Sequence, residues 1–560
     1  MYNQFTYPLP VNNYNRYLLE PIKKEAEKLL DADIKALPYS NFKLLEETGS
    51  RVEYEIDYME HRKMLCAFAG MALAQPEEPK WLEKLCDVIW AICDEYTWAL
   101  PAHLQGMKEP EKISTRLDLF SCETGMALSE IYHIMGDKLP KPVQTRMLYE
   151  LERRIVQSYI KNPRRFGISN WSAVCICGVG STFIYLGKDE EFAMMKEHIL
   201  QSIQDFLASY PEDGCCLEGS LYWDYGFSFF CFFAELLRQY TKGEIDYFQM
   251  DKVKKIAYFG QNSYLREEYV VSFADAPHTM KYGTGLWGLL SEKYEGIIIP
   301  DIKYAIMFGD DLRFRFAPFI RSLYWGKEPK TGQAEDKRCI YYEDAKWYIN
   351  KKFPYVFAAK AGHNDEPHNH NDVGSFLLLD DGKFVLDDIG WPEYTRDYFS
   401  EKRYENICAS SLGHPVPIVD GSSQKPGEEF NSEVVKVTED CFVMEMAKAY
   451  GVETLTKLTR EFHLREDGIV IKDSAEGSYS EFIERFTTRE KPELCGDQVV
   501  IGDYTLSASE KAEISISDVT FYPRFKGFIE EESDLETAYQ IDFKIEHFTQ
   551  GEFILKKNSK

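Results

Sequence analysis

From residue 15 to about 325 the apolar positions recur at intervals of three and four, the spacing that gathers side chains on one face of an α-helix. Leu82, Leu85, Val88, Ile89 and Ile92 form one such stripe, and Leu117, Phe120, Ala127, Leu128 and Ile131 another. Short breaks rich in Pro, Gly, Lys and Asp separate them, as helix ends require. The run GKEPKTGQAEDK, between Trp325 and Lys337, then has the composition of a linker. Past it the pattern becomes one of short β-branched and aromatic runs: Val356 to Ala359, Ser375 to Leu379, Phe384 to Leu386, Gly468 to Lys472 and Val499 to Ile501. Asp381-Gly382 between two of them predicts a two-residue hairpin turn, so this half is antiparallel β. There are no heptads, short repeats or low-complexity tracts, and successive helix pairs of similar length would wind into an incomplete (α/α) toroid. The expectation is a multidomain chain, α then β, with a helical domain over residues 1–330 and a β domain over 331–560.

Composition sharpens this picture in three ways. With 560 residues and 44% apolar content the chain can bury two or more large cores. Thirteen irregularly spaced cysteines, and an N-terminus (MYNQFTYPLPVNNYNRYL) lacking a basic region and an apolar stretch, argue for a reducing cytoplasm over secretion. The runs Val174 to Leu186 and Phe227 to Leu237 are too short or too interrupted to span a bilayer, so no membrane is expected, and the Asn170-Trp171-Ser172 sequon would stay unused. A net charge of -27 disfavours nucleic acid as a partner. It leaves room for an anionic sugar in a locally basic cleft, for which Arg153, Arg154, Lys161, Arg164 and Arg165 beside Asn170 are the candidates. The plainer account of that basic run is a solvated helix end.

The densest chemistry follows the linker. In HNDEPHNHNDVGSF, His363, His368, His370 and Asp372 fall within ten residues of a chain holding 11 histidines. Were the segment extended, His368 and His370 would share one face. HxHxD is also a zinc motif of metallo-β-lactamase-like hydrolases, but that fold is α/β throughout and its motif continues into a further His, where this chain has Val373. Downstream, Asp388 ends a strand and His414 lies in a Gly/Pro-framed loop, so His370, Asp388 and His414 make an N, O, N ligand set for zinc or a similar ion. Simple hairpin pairing sets Asp388 opposite Ser375, about 16 Å along a straight strand from His370, so the set requires a bend at Gly374. Asp388 is otherwise an ordinary turn residue.

The helical half supplies DGCCLEGSLYWDYG over Asp213 to Gly226. On a helix Glu218, Tyr222 and Tyr225 would line one face. A Tyr hydroxyl in a basic or metal-flanked cleft can accept and deliver a proton, although any one of 36 tyrosines is more simply core packing.

ISNWSAVCICGVG with Asn170, EGSLYWDYG, PHNHNDVGSF, LDDIGWPEY and GHPVPIVDG, in that order, resemble the heparinase II/III-like polysaccharide lyases, over a span from Leu117 to Phe486. The resemblance implies an incomplete (α/α) toroid followed by an antiparallel β-sandwich, with a cleft between them. It implies that Asn170 binds the substrate carboxylate, that Tyr222 and His368 are catalytic, that Tyr225 is a second tyrosine near the site, and that His370, Asp388 and His414 hold a structural divalent metal, with zinc the expected ion. Trp171, Glu218 and Arg165 are the accompanying substrate contacts. Trp171 stands where some members have a His beside the Asn.

The expected activity is β-elimination on a uronic-acid polymer or oligomer. Asn170 would stabilise the enediolate, His368 or Tyr222 would abstract the C5 proton according to its face, and Tyr222 would protonate the departing O4. Two alternatives stand beside it. A glycoside hydrolase would use Asp213, Glu218 or Asp224 as paired carboxylates, and a sugar-binding protein would need the β half alone.

Overall fold

The computed structural model describes residues 5–104, 106–329, 338–392, 394, 397–523 and 535–558. Residues 330–337, which hold most of the expected linker, lie outside that set.

Helices fill the first half in pairs. Val52–Ala74, Leu119–Met135, Asn170–Tyr185 and Ser228–Tyr240 are buried along most of their surface, whereas Pro79–Asp94, Lys141–Leu151, Asp189–Ala208 and Asp251–Ser263 bury one face only. All-round apolar sequence suits an inner ring and striped sequence an outer one, which makes the half an incomplete (α/α) toroid. The last helix, Phe316–Trp325, packs on Asn13–Leu29, Val52–Ala74, Leu119–Met135 and Ser228–Tyr240. Its Arg321 is fully buried and reaches Glu130, also fully buried, with Nη1 to Oε2 at 3.2 Å. No described helix is long and apolar enough to cross a membrane.

The helical pattern is interrupted once, and the interruption matters to the site. Tyr264–Arg266 and Tyr269–Val270 pair as a small antiparallel ribbon, and the loop after it carries Asp275 and His278 toward the β half.

The second half is an antiparallel β-sandwich. A five-stranded sheet of Cys339–Tyr342, Trp347–Asn350, Val356–Lys360, Phe376–Asp380 and Lys383–Leu386 lies between the toroid and the remaining strands. Its alternation of side chains explains why both faces are apolar. Trp347, Ile349, Val356, Ala358 and Leu377 join the helical core, while Tyr348, Phe357, Ala359, Phe376 and Leu378 join the sandwich core with Phe442 and Phe462. An eight-stranded sheet, running from Glu433–Val437 through Gln550–Lys557, and a four-stranded sheet complete the sandwich. The expected turn is present: Asp380 pairs with Lys383, and both Asp381 (φ 46°) and Gly382 (φ 71°) are left-handed. A fully buried Arg460 ties the sandwich together through Asp473 at 2.7 Å and Glu484.

Candidate active site

Ser169 caps the helix Asn170–Tyr185, its Oγ accepting the Trp171 N–H, and this places Asn170 in the first turn at the rim of a cleft of about 2030 Å³. Asn170 is 6% exposed and donates from Nδ2 to Glu218 Oε2 at 3.0 Å. Gly219 (φ 94°) turns the chain into the short helix Ser220–Tyr222, which continues as a wide π-type turn over Trp223–Phe227. The extra residue in that turn separates the two tyrosines that a regular helix would have set on one face. Tyr222 stacks on the His368 imidazole, with ring centroids 4.2 Å apart. Tyr225 instead donates to Glu123 Oε1 at 2.5 Å and lies under the Arg315 guanidinium, so its hydroxyl is committed elsewhere.

From the β half comes the loop between His363–Asn364 and Phe376–Asp380. It is not extended as the period-two reading supposed: His368 is left-handed (φ 57°), and the chain turns at Gly374 (φ 89°). The two histidines nonetheless meet, because both bind one carboxylate. Asp275 accepts from His368 Nδ1 at 2.7 Å and from His370 Nε2 at 3.0 Å. It also accepts from Tyr394 Oη (2.7 Å), Tyr398 Oη (2.6 Å) and Arg403 Nη2 (3.3 Å). Burial opposes its charge, but the His368 and His370 hydrogen bonds and the nearby cations outweigh it and hold Asp275 well below the usual carboxylate range. With Nδ1–H given to Asp275, His368 turns Nε2 toward Glu218 Oε2, 3.6 Å away. The Tyr394 hydroxyl closes the group, 2.9 Å from Tyr222 Oη. Burial pushes the Glu218 carboxyl up, against the lowering effects of His368 and Asn170.

The proposed metal ligands lie just behind. His370 and His414 face each other with ring centroids 5.2 Å apart, and His414 Nδ1 is 3.9 Å from Asp388 Oδ2. Each imidazole spends Nε2 outward, His370 on Asp275 and His414 on the Cys408 carbonyl at 2.9 Å. That leaves both Nδ1 atoms buried with no hydrogen-bond partner. Two orphaned imidazole nitrogens beside a carboxylate, each ring oriented from its far side, fit a divalent ion with nitrogen and oxygen preference. His278, Asp387 and Asp388 also lie close together. There burial disfavours a charged imidazole, yet Asp387 and Asp388 overcome it and raise His278 to about 9, so His278 pairs with Asp387 and with Asp388 Oδ1 and leaves Asp388 Oδ2 toward His414. Asp372 is not free for a metal either, since it pairs with buried Lys360 at 2.8 Å.

The basic run expected to line the site does not do so. Arg165 pairs with Asp205, Arg153 and Arg154 pair with Glu150, and none of the three lines the cleft. Trp171 does line it. Sequence reasoning missed Asp275, Tyr398 and Arg403. Tyr394 lay within a quoted motif, whereas Asp275 sits in FADAPH, a stretch with no pattern of its own.

No protein-family model matches the chain, and no curated protein does. Solved structures do. Heparinase III aligns with a TM-score of 0.68 at 12% identity, covering 99% of this chain and 88% of that one. A heparan sulfate lyase from Pedobacter heparinus aligns at 0.61 and 13% identity, covering 98% and 89%. The Streptomyces coelicolor A3 chondroitin AC lyase, in complex with chondroitin sulphate, aligns at 0.56 and 10% identity, covering 99% and 81%. The fold is that of the heparinase III-like lyases.

In this heparinase III-like fold the cleft runs between toroid and sandwich. Asn170, Glu218 and Tyr222 come from the first, and His368 and Tyr394 from the second.

Proposed function

We propose that this chain is a lyase that cleaves a uronic-acid-containing glycan, of glycosaminoglycan or alginate kind, by β-elimination to a 4,5-unsaturated uronate. The observation that carries the reading is the meeting of Tyr222, His368, Asn170 and Glu218 at one point of the cleft, with Asp275 fixing the imidazole. The structural neighbours named as heparinase III, heparan sulfate lyase and chondroitin AC lyase support an anionic polysaccharide as substrate.

The C5 proton of a uronate becomes removable once the neighbouring carboxylate is neutralised. Asn170 Nδ2 donates to that carboxylate. Its arrival beside Glu218 adds a like charge, raises Glu218 further and favours the protonated acid, which donates a second hydrogen bond. Both bonds strengthen as the enediolate forms, an effect worth about 3 kcal/mol per well-placed donor. His368, oriented by Asp275, presents Nε2 as base for one C5 configuration, and the Tyr222 oxygen serves the other. Tyr222 then hands a proton to the departing O4, and Tyr394 at 2.9 Å keeps its hydroxyl aimed.

A divalent metal, zinc on donor chemistry, would be held by His370, Asp388 and His414. It would supply a fixed positive charge that locks the loops behind His368, a structural part. Of the carboxylates a glycoside hydrolase would use, Asp213 is spent on the backbone N–H groups of Cys215, Asp344 and Ala345, which leaves Glu218 and Asp224 in the cleft, and a hydrolase gives the histidine cluster no part.

The test is ultraviolet absorbance during incubation with a panel of uronate polymers and oligomers, with Tyr222→Phe and His368→Ala alongside. Growth of the unsaturated-uronate signal in wild type, lost in Tyr222→Phe, is expected. New reducing ends without that signal would overturn the lyase reading.

A further inference from the structure

One cleft residue outside this machinery is built like a functional group. His103, at the end of the short helix Pro101–His103, lines the cleft and hydrogen-bonds through Nδ1 to Asp118 Oδ2 at 2.6 Å. Asp118 is fully buried and rigid: its Oδ1 accepts the Ser121 N–H at 2.7 Å as cap of the helix Leu119–Met135, and its Oδ2 also accepts the Leu100 N–H. Nothing among the described residues hydrogen-bonds the other ring nitrogen, Nε2. The ring meets Trp171 edge-on at 4.8 Å and lies over Phe120 at 6.0 Å. It thus enters the cleft against the residue that follows Asn170, with no bond to Asn170 or Glu218.

The rest of the cleft gives this nitrogen its meaning. Among the described residues, every Lys and Arg lining it is paired: Arg51 and Arg313 with Glu55, Lys281 with Asp310, Arg315 with Asp311 and Arg489 with Glu536. An anionic chain lying across Asn170 therefore finds few uncommitted donors. With Nδ1 held by Asp118, Nε2 is the ring atom left facing the cleft, where an N–H can donate to an anionic oxygen with the Asp118 carboxylate behind the ring.

We propose that His103, positioned by Asp118, reads an anionic oxygen on a sugar beyond the two that the cleaved bond joins, with Trp171 packed against that sugar's ring. The shared chemistry is a carboxylate or a sulfate oxygen. The proposal rests on the lyase reading and deepens it, by giving the enzyme a second anionic subsite outside the two sugars of the cleaved bond.

The experiment is steady-state elimination by wild type, His103→Gln and Asp118→Asn. The substrates are the shortest oligosaccharide cleaved and one longer by two sugars, the latter unsulfated, sulfated, or unsulfated with its non-reacting carboxyl reduced. Asparagine still caps the helix and His103 is only half-buried, and thermal unfolding checks that both variants fold. The expected result is a rise in KM of roughly tenfold on the longer anionic substrate, the loss for one charged hydrogen bond. Its kcat should hold, and the short and carboxyl-reduced substrates should show no change. A loss on the unsulfated substrate names the carboxylate, and a loss on the sulfated one alone names the sulfate. An unchanged KM, a fall in kcat, or an equal loss on the short or carboxyl-reduced substrate overturns the proposal while leaving the lyase standing. No elimination by wild type on any substrate overturns both.

Discussion

Gly226 faces the Asn170 side chain so closely that a methyl group there would overlap the amide oxygen, Oδ1. The wide turn over Trp223–Phe227 brings this glycine under the amide, so the same turn that presents Tyr222 also seats Asn170. Gly226→Ala should displace the amide without removing any reacting group. The expected loss in kcat is on the order of a hundredfold, the scale of a misplaced contact. Elimination rates beside an unchanged circular dichroism spectrum check it, and near-native activity would count against Asn170 as carboxylate donor.

Asp275 joins the expected catalytic histidine to the expected metal ligand. Asp275→Asn keeps the shape but loses the charge that His368, His370 and Arg403 all address. His368 would no longer be held with Nε2 toward the cleft, and kcat should fall about a hundredfold or more with KM little changed. A variant of full activity would show that His368 orientation is not limiting.

The metal reading predicts a bound ion in native mass spectra of the purified protein, absent from His414→Ala. Because an ion that binds only the folded state adds stability, chelation should lower the unfolding temperature by several degrees. An ion-free protein unaffected by chelators would remove His370, Asp388 and His414 from consideration as ligands.

Asp224 lies in the cleft wall with Oδ1 buried and unpartnered. Burial, then the charge of Asp311, raises it to about 7 from an ordinary value of 3.8. A carboxyl raised on folding costs nothing below its unfolded pKa. The cost grows as pH climbs from about 4 toward 7, and is complete above that. Asp224→Asn should therefore stabilise the protein at pH 8, by on the order of 2 kcal/mol, and leave it nearly unchanged at pH 4. Urea unfolding at the two pH values reads the difference, and an equal effect at both would show that Asp224 does not titrate in this window.

The division into helices and strands was legible from residue spacing, because a helix or strand with one apolar face announces its period locally. The Asp381-Gly382 turn was visible for the same reason: it rests on residues adjacent in the chain. Tyr225 lines the same cleft as Tyr222, but the wide turn over Trp223–Phe227, which no local pattern announced, gives its hydroxyl to Glu123. Arg165 was misplaced because its partner, Asp205, lies 40 residues on.

What only the tertiary structure decided is where separate segments meet. Asp275 stands 93 residues before His368 in an unremarkable stretch, and becomes the centre of the site because a ribbon within the toroid reaches the sandwich. His103 has no motif around it, and gains its setting from a cap residue and a tryptophan on two other helices. A single sequence records the local periods that choose elements. It does not record the long-range packing that brings a carboxylate from one half against an imidazole from the other, and that packing sets which groups are paired, buried or open to the cleft.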